Sequence, residues 1–154
     1  MPQLETPLGL SLLMCDTIIE DKHTGKKTLV GLFDRVHARR FPCVHPFMCV
    51  FVSLTGARGN FPCEVVCRHQ DSHTIAFSAK GEVSMRDPRQ VVDLVFRLSG
   101  VTFSKPDMYW LNFVVDDVPI MMRPLFVMES GKSGKERKGD EDSQGEPGEA
   151  APGT

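Results

Sequence analysis

Long apolar runs, excess charge, tyrosine and tryptophan are all scarce in this 154-residue chain. No stretch approaches the roughly 18 apolar residues of a membrane-spanning helix. The formal net charge is only −2, too little to draw in nucleic acid or an acidic membrane through a global field. A single tryptophan, Trp110, leaves little for a base-stacking platform. No G-x-x-x-x-G-K-[ST], G-x-G-x-x-G or G-x-S-x-G motif occurs, so a standard nucleotide cradle and a serine-nucleophile elbow are both missing. Cysteines number five, an odd count at irregular spacing. That pattern does not suit a disulfide framework and favours a reducing compartment. "LLMC" ending at Cys15 faintly imitates a lipoprotein cleavage box. The segment before it carries Glu5 where a positive region is required, and Met14 where a small residue is required. A cytoplasmic location is therefore expected.

A sharp boundary falls near Ser130. Residues 131–154, "GKSGKERKGDEDSQGEPGEAAPGT", contain no Leu, Ile, Val, Phe, Tyr or Trp. Such a segment buries too little to offset its ordering entropy, so a disordered, charged, Gly-rich tail is expected. Residues 1–130 form one domain.

Within that domain period-two alternation recurs between turn residues, and no sustained 3.6-residue period appears. "LGLSLLMCDTIIE" and "KTLVGLFDRVHA" flank "DKHTGK", which predicts a hairpin whose Gly25 suits a positive-φ turn. "FMCVFVSLT" is apolar on both faces, as a central strand requires. "FPCEVVCRHQ" alternates Phe61, Cys63, Val65 and Cys67 against Glu64, Val66, Arg68 and Gln70. Further strands follow in "HTIAFSAKGEVSM", with Ile75, Phe77, Ala79 and Val83 inward, and in "QVVDLVFRLSGV". Two more are joined tightly at Asp116-Asp117. Pro124 in the last one indicates an edge or a bulge. The pattern predicts an all-β, immunoglobulin-like antiparallel β-sandwich of seven to nine strands. Tyr109, just after "KPDM", has the position of a tyrosine corner, with a packed aromatic as the plainer reading.

The pieces "G-L-F-D-R", "F-P-x-x-H-P" and "D-L-V-F-R-L-S-G" together resemble a bacterial domain family of unknown function, over roughly residues 10 to 128. The resemblance implies a bacterial, cytoplasmic, immunoglobulin-like sandwich. It implies no activity and no catalytic residue. Such domains more often carry "P-G-x-Y" before the penultimate strand, where this chain has "P-D-M-Y".

Residues 31–46, "GLFDRVHARRFPCVHP", are the most unusual stretch. If a strand continues through them, Arg35, His37 and Arg39 share one face by period two, and Arg40 turns away. With His45 they make a candidate binding patch for another protein. The plainer reading is a charged strand end that protects a sheet edge. Nucleic acid is disfavoured, because the domain is neutral over residues 1–130. The two prolines of "FPCVHP" suit a chain crossing between sheets, with His45 as a turn residue. Asp16, Asp34 and Arg35 fall close together if the first hairpin pairs as expected, and are a candidate structural ion cluster.

Metal ligation by Cys43, His45, Cys49, Cys63, Cys67 and His69 is a weaker reading. Cys63 and Cys67 stand roughly 13 Å apart on a strand and cannot share one ion. Cys43 beside His37 or His45 offers a nucleophile without an orienting partner or oxyanion donor. The expectation is a non-enzymatic interaction or structural module with no cofactor. It would act through the Arg35–Arg40 patch or through an exposed sheet edge. The alternative is a small-ligand or metal-binding protein using His37, Cys43 and His45.

Overall fold

The computed structural model describes residues 6–131; the tail expected to be disordered lies outside them apart from Gly131. Nine strands form two facing sheets: β1 (Leu8–Glu20), β2 (Lys27–Leu32), β3 (Arg35–Ala38), β4 (Cys43–Thr55), β5 (Gly59–His69), β6 (Ile75–Met85), β7 (Val92–Phe103), β8 (Asp107–Val115) and β9 (Val118–Glu129). One sheet has the order β2-β1-β4-β7, the other β3-β9-β8-β5-β6. Among the described residues no helix is long and apolar enough to cross a membrane.

The alternation in the sequence places the core. Leu12, Val52 and Leu94 face inward across β1, β4 and β7, as do Met14, Val50 and Phe96. Opposite them Cys63, Val65 and Cys67 of β5 and Leu111, Phe113 and Val115 of β8 complete one apolar layer. Ile75, expected inward, is 50% exposed. A bulge between Cys67 and Arg68 shifts the register of β5 against β6 just where Ile75 pairs.

Turns follow local chemistry. Gly25 takes φ +68 in the first hairpin, and the Asp21 carboxylate accepts the His23 and Thr24 amides, both at 2.8 Å. Asp116 and Asp117 both have positive φ, the combination that matches the twist of a two-residue hairpin. Tyr109 is 2% exposed, and its hydroxyl donates to the Lys105 carbonyl at 2.9 Å. Tyr109 is thus a packed core aromatic whose hydroxyl also bonds back to the preceding turn, so both readings of this residue hold.

Three further expectations need correction. "KTLVGLFDRVHA" is not one strand. It breaks at Phe33-Asp34, and the chain passes from β2 in the four-stranded sheet to β3 in the other. Nor is every pair antiparallel: β3 runs parallel to β9, with Arg35 opposite Phe126 and Ala38 opposite Glu129. Because β3 joins β9 only from Phe126 onward, Pro124 lies where β9 is still an edge, and its missing N–H leaves no gap in the ladder. The chain returns to the four-stranded sheet through the cis Phe41-Pro42 bond. Cys43, His45 and Pro46 then belong to β4, so His45 is a strand residue rather than a turn residue.

The outward faces of the two sheets differ. On the four-stranded sheet, Ser11, Leu13 and Cys15 of β1 share the outward side with Phe47, Cys49, Phe51 and Ser53 of β4. Cys15, Ile18 and Cys49 form a small apolar cluster there, apart from the main core, backed by Leu29, Phe51 and Val95.

Candidate functional site

The stretch singled out in the sequence becomes a sheet edge. Arg35 and His37 are exposed on β3, the outermost strand of its sheet, while Arg39 and Arg40 are exposed in the turn that follows. The Arg35 guanidinium lies over the Phe126 ring, 5.4 Å from its centroid, with Nε 3.5 Å from the Asp34 carboxylate. Both side chains of that pair are more than half exposed, so it contributes little to stability. Asp16 does not join them. It lies across the first hairpin from Gly31, with its carboxylate in contact with the space a Gly31 side chain would need. No ion pair links Asp16 to Arg35 among the described residues. His45 packs its ring 5.7 Å from Phe33, and Cys43 is half-buried beside it on β4. Among the described residues, the three metal-ligating side chains brought within mutual reach do not include His37, Cys43 or His45. Those three do not converge.

The three that do converge are His69, Asp71 and Asp107. His69 ends β5 and is 3% exposed. Its Nδ1 accepts the Ser72 amide at 3.1 Å and lies 2.9 Å from the Ser72 hydroxyl. Its Nε2 lies 2.7 Å from Asp107 Oδ2. A backbone amide can only donate, so Nδ1 is the acceptor and the ring proton sits on Nε2, donated to Asp107. The Met108 amide donates to the other oxygen of the same carboxylate at 2.8 Å. That amide first, and the His69 ring second, hold Asp107 below the ordinary 3.8. A cation on Nε2 would force the proton onto Nδ1, facing the Ser72 N–H. The order Ser72–His69–Asp107 also imitates an acyl-transfer triad, but the Nδ1 lone pair needed by such a serine is already engaged by its own amide. The constellation therefore clamps the β5–β6 turn to the start of β8.

Beside this clamp the outward face of the five-stranded sheet opens into a cleft of about 520 Å³, within the range of ligand sites. Val66 forms its floor. It is only 3% exposed although it faces away from the core. Trp110 and Met122 stand above Val66 on β8 and β9, and Asn112 pairs directly across from it. The Trp110 indole donates to Gln70 Oε1 at 3.3 Å, which sets the ring against β5. Arg68 and His73 line one end of the cleft, and Glu64 and Asp117 the other. Arg68 and Glu64 are four residues apart on one strand, or about 13 Å.

Sequence reasoning placed Glu64, Val66, Arg68 and Gln70 together on the second face of their strand, and the cleft uses that face. Their partners on β8 were missed. The available signal was the alternation of "YWLNFVV", in which Tyr109, Leu111 and Phe113 go inward and leave the only tryptophan outside with Asn112 and Val114. No curated protein matches this chain. The family of unknown function DUF6941 matches residues 10–128, the span that carried the resemblance and nearly the whole described sandwich, and the chain belongs to that family.

Proposed function

We propose that the protein is a non-enzymatic binding module that holds an extended segment of another protein in the Trp110 cleft. The observation that carries this reading is a buried valine on a solvent-facing sheet, walled by Trp110 and Met122 and flanked by charges of opposite sign. An open cleft parallel to the strands, with ends about 13 Å apart, suits about four residues of extended polypeptide. An apolar middle with an acidic side chain toward Arg68 and a basic one toward Glu64 would complement it. Tryptophan and arginine are also the side chains most enriched at interface hot spots. We read the sandwich as immunoglobulin-like because of the Tyr109 corner, and the β3 arginines as protection of an edge.

Trp110 is the only tryptophan, so its fluorescence reports on the site directly. A synthetic heptapeptide library titrated against the full chain is expected to contain members that shift this emission saturably. Those members should be recovered intact, and should lose binding with Met122→Asp and with Arg68→Glu. Absence of any saturable shift would refute the reading. So would binding indifferent to both variants, or cleavage of the bound peptides.

A further inference from the structure

The outward face of the four-stranded sheet lies on the other side of the sandwich from the cleft and is unusually free of charge. The outward positions of β1 from Ser11 to Cys15 and of β4 from Phe47 to Ser53 carry none, in a chain where 25% of residues are charged. Leu32, opposite Cys15 on β2, is 60% exposed, and Phe47 is 40% exposed. Depletion of charge around an apolar centre distinguishes interface cores from ordinary surface.

We propose that this face is the contact of a two-fold homodimer. Two observations single out a second copy as the occupant. The first is charge. β7 borders the face and points two charges outward, Asp93 near its start and Arg97 at its middle, both exposed and of opposite sign. Neither belongs to an ion pair among the described residues; Asp93 accepts only the Ser53 hydroxyl, at 3.0 Å. They lie about 13 Å apart along the strand. A two-fold axis between them sets Asp93 of each copy against the partner's Arg97, twice over, as an isologous contact requires. A face with one cation and one anion is complementary to itself.

The second observation is size. β1 and β4 have 13 residues each, β7 has 12 and β2 has six, at a rise of about 3.3 Å per residue and a spacing of about 4.8 Å between strands. The face therefore covers about 700 Å², close to the roughly 800 Å² that each partner contributes to a standard interface. Sheets packed face to face at about 10 Å would interdigitate Leu13, Phe51 and Val95 with their equivalents.

Sedimentation of the full chain tests this. The wild type is expected at twice 17.2 kDa. Arg97→Asp and Asp93→Arg are each expected to weaken association about tenfold or more, because like charges then meet across the axis. The double swap D93R/R97D restores opposite charges and is expected to recover the dimer. Both positions are exposed, so the variants should keep the circular dichroism of the wild type. Leu32→Lys, which places a charge within the apolar face, is expected to give monomer. A wild type that stays monomeric up to about 100 μM would overturn the proposal. A dimer untouched by the charge reversals and by Leu32→Lys would do the same.

Discussion

Tyr109→Phe removes one oxygen from a side chain that is 2% exposed. The ring contacts remain: the edge-on approach to Phe103 at 5.2 Å and to His69 at 5.3 Å need no hydroxyl. What is lost is the bond from the hydroxyl to the Lys105 carbonyl. That bond ties the turn after β7 to the strand that follows. A neutral hydrogen bond of this kind contributes about 1 kcal/mol net. With an unfolding entropy near 2.1 cal/mol/K per residue over roughly 130 residues, 1 kcal/mol corresponds to a fall in Tm of about 4 °C. Differential scanning calorimetry of the two proteins measures it, and near-ultraviolet circular dichroism checks that the ring environment is kept. An unchanged Tm would show that the hydroxyl does not latch the turn. A fall beyond about 10 °C would show that the ring itself had moved, contradicting the packing account.

Other consequences are equally direct. Gly31→Ala places a side chain at φ +70 and against the Asp16 carboxylate, whereas Gly25→Ala at φ +68 meets open space. Both incur about 1–2 kcal/mol of left-handed strain, and denaturant midpoints should show the larger loss at Gly31; equal losses would remove the role given to Asp16. Asp107, Asp21 and Asp87 all ionise below the ordinary 3.8. The leading causes are the Met108 amide, the Thr24 amide and the Arg89 guanidinium respectively. The unfolded chain binds these protons more readily, so the associated stability is complete above that ordinary value and drains as pH falls through the lowered ones. Asp107→Asn should flatten the acid limb of a stability-against-pH curve, and a limb as steep as the wild type's would contradict this. Burial pushes the Cys67 thiol up to about 12, and Cys15, Cys49 and Cys63 are also buried. Iodoacetamide on the native protein should label Cys43 alone, read by peptide mass spectrometry, and all five in urea.

Most strands were legible because a sandwich imposes a period of two on any strand with one buried face. "LGLSLLMCDTIIE" coincides with β1, and the alternation around Cys63 and Cys67 matches their burial. The Asp116-Asp117 turn was legible for the local reason that two residues must reverse the chain. The split between β2 and β3 was not. Phe33 and Asp34 carry no proline or glycine to mark a break, and the change of sheet is decided by partners far away in sequence. The pairing of His69 with Asp107 escaped notice for the same reason: His69 stood out only as a possible ligand beside the cysteines, and nothing near either residue announces the other. The Asp16 cluster failed through register. The pairing of Cys15 with Leu32 and Thr17 with Val30 puts Asp16 opposite Gly31, not beside Asp34.

The parallel pairing of β3 with β9 bears on how the chain reaches this fold. Arg35 and Phe126 are separated by most of the domain, and closing so long a loop is among the slowest kinds of step in folding. During synthesis from the N-terminus, β3 has no partner until β9 has left the ribosome. For that interval its backbone is an open edge on a nascent chain. Arg35, His37, Arg39 and Arg40 sit at and just beyond that edge, and in the edge-protecting role proposed above their charge would discourage pairing with a neighbouring chain before β9 arrives. Under the proposed edge-protecting role, a stretch that reads as a binding motif would serve the chain before the fold is complete as well as after.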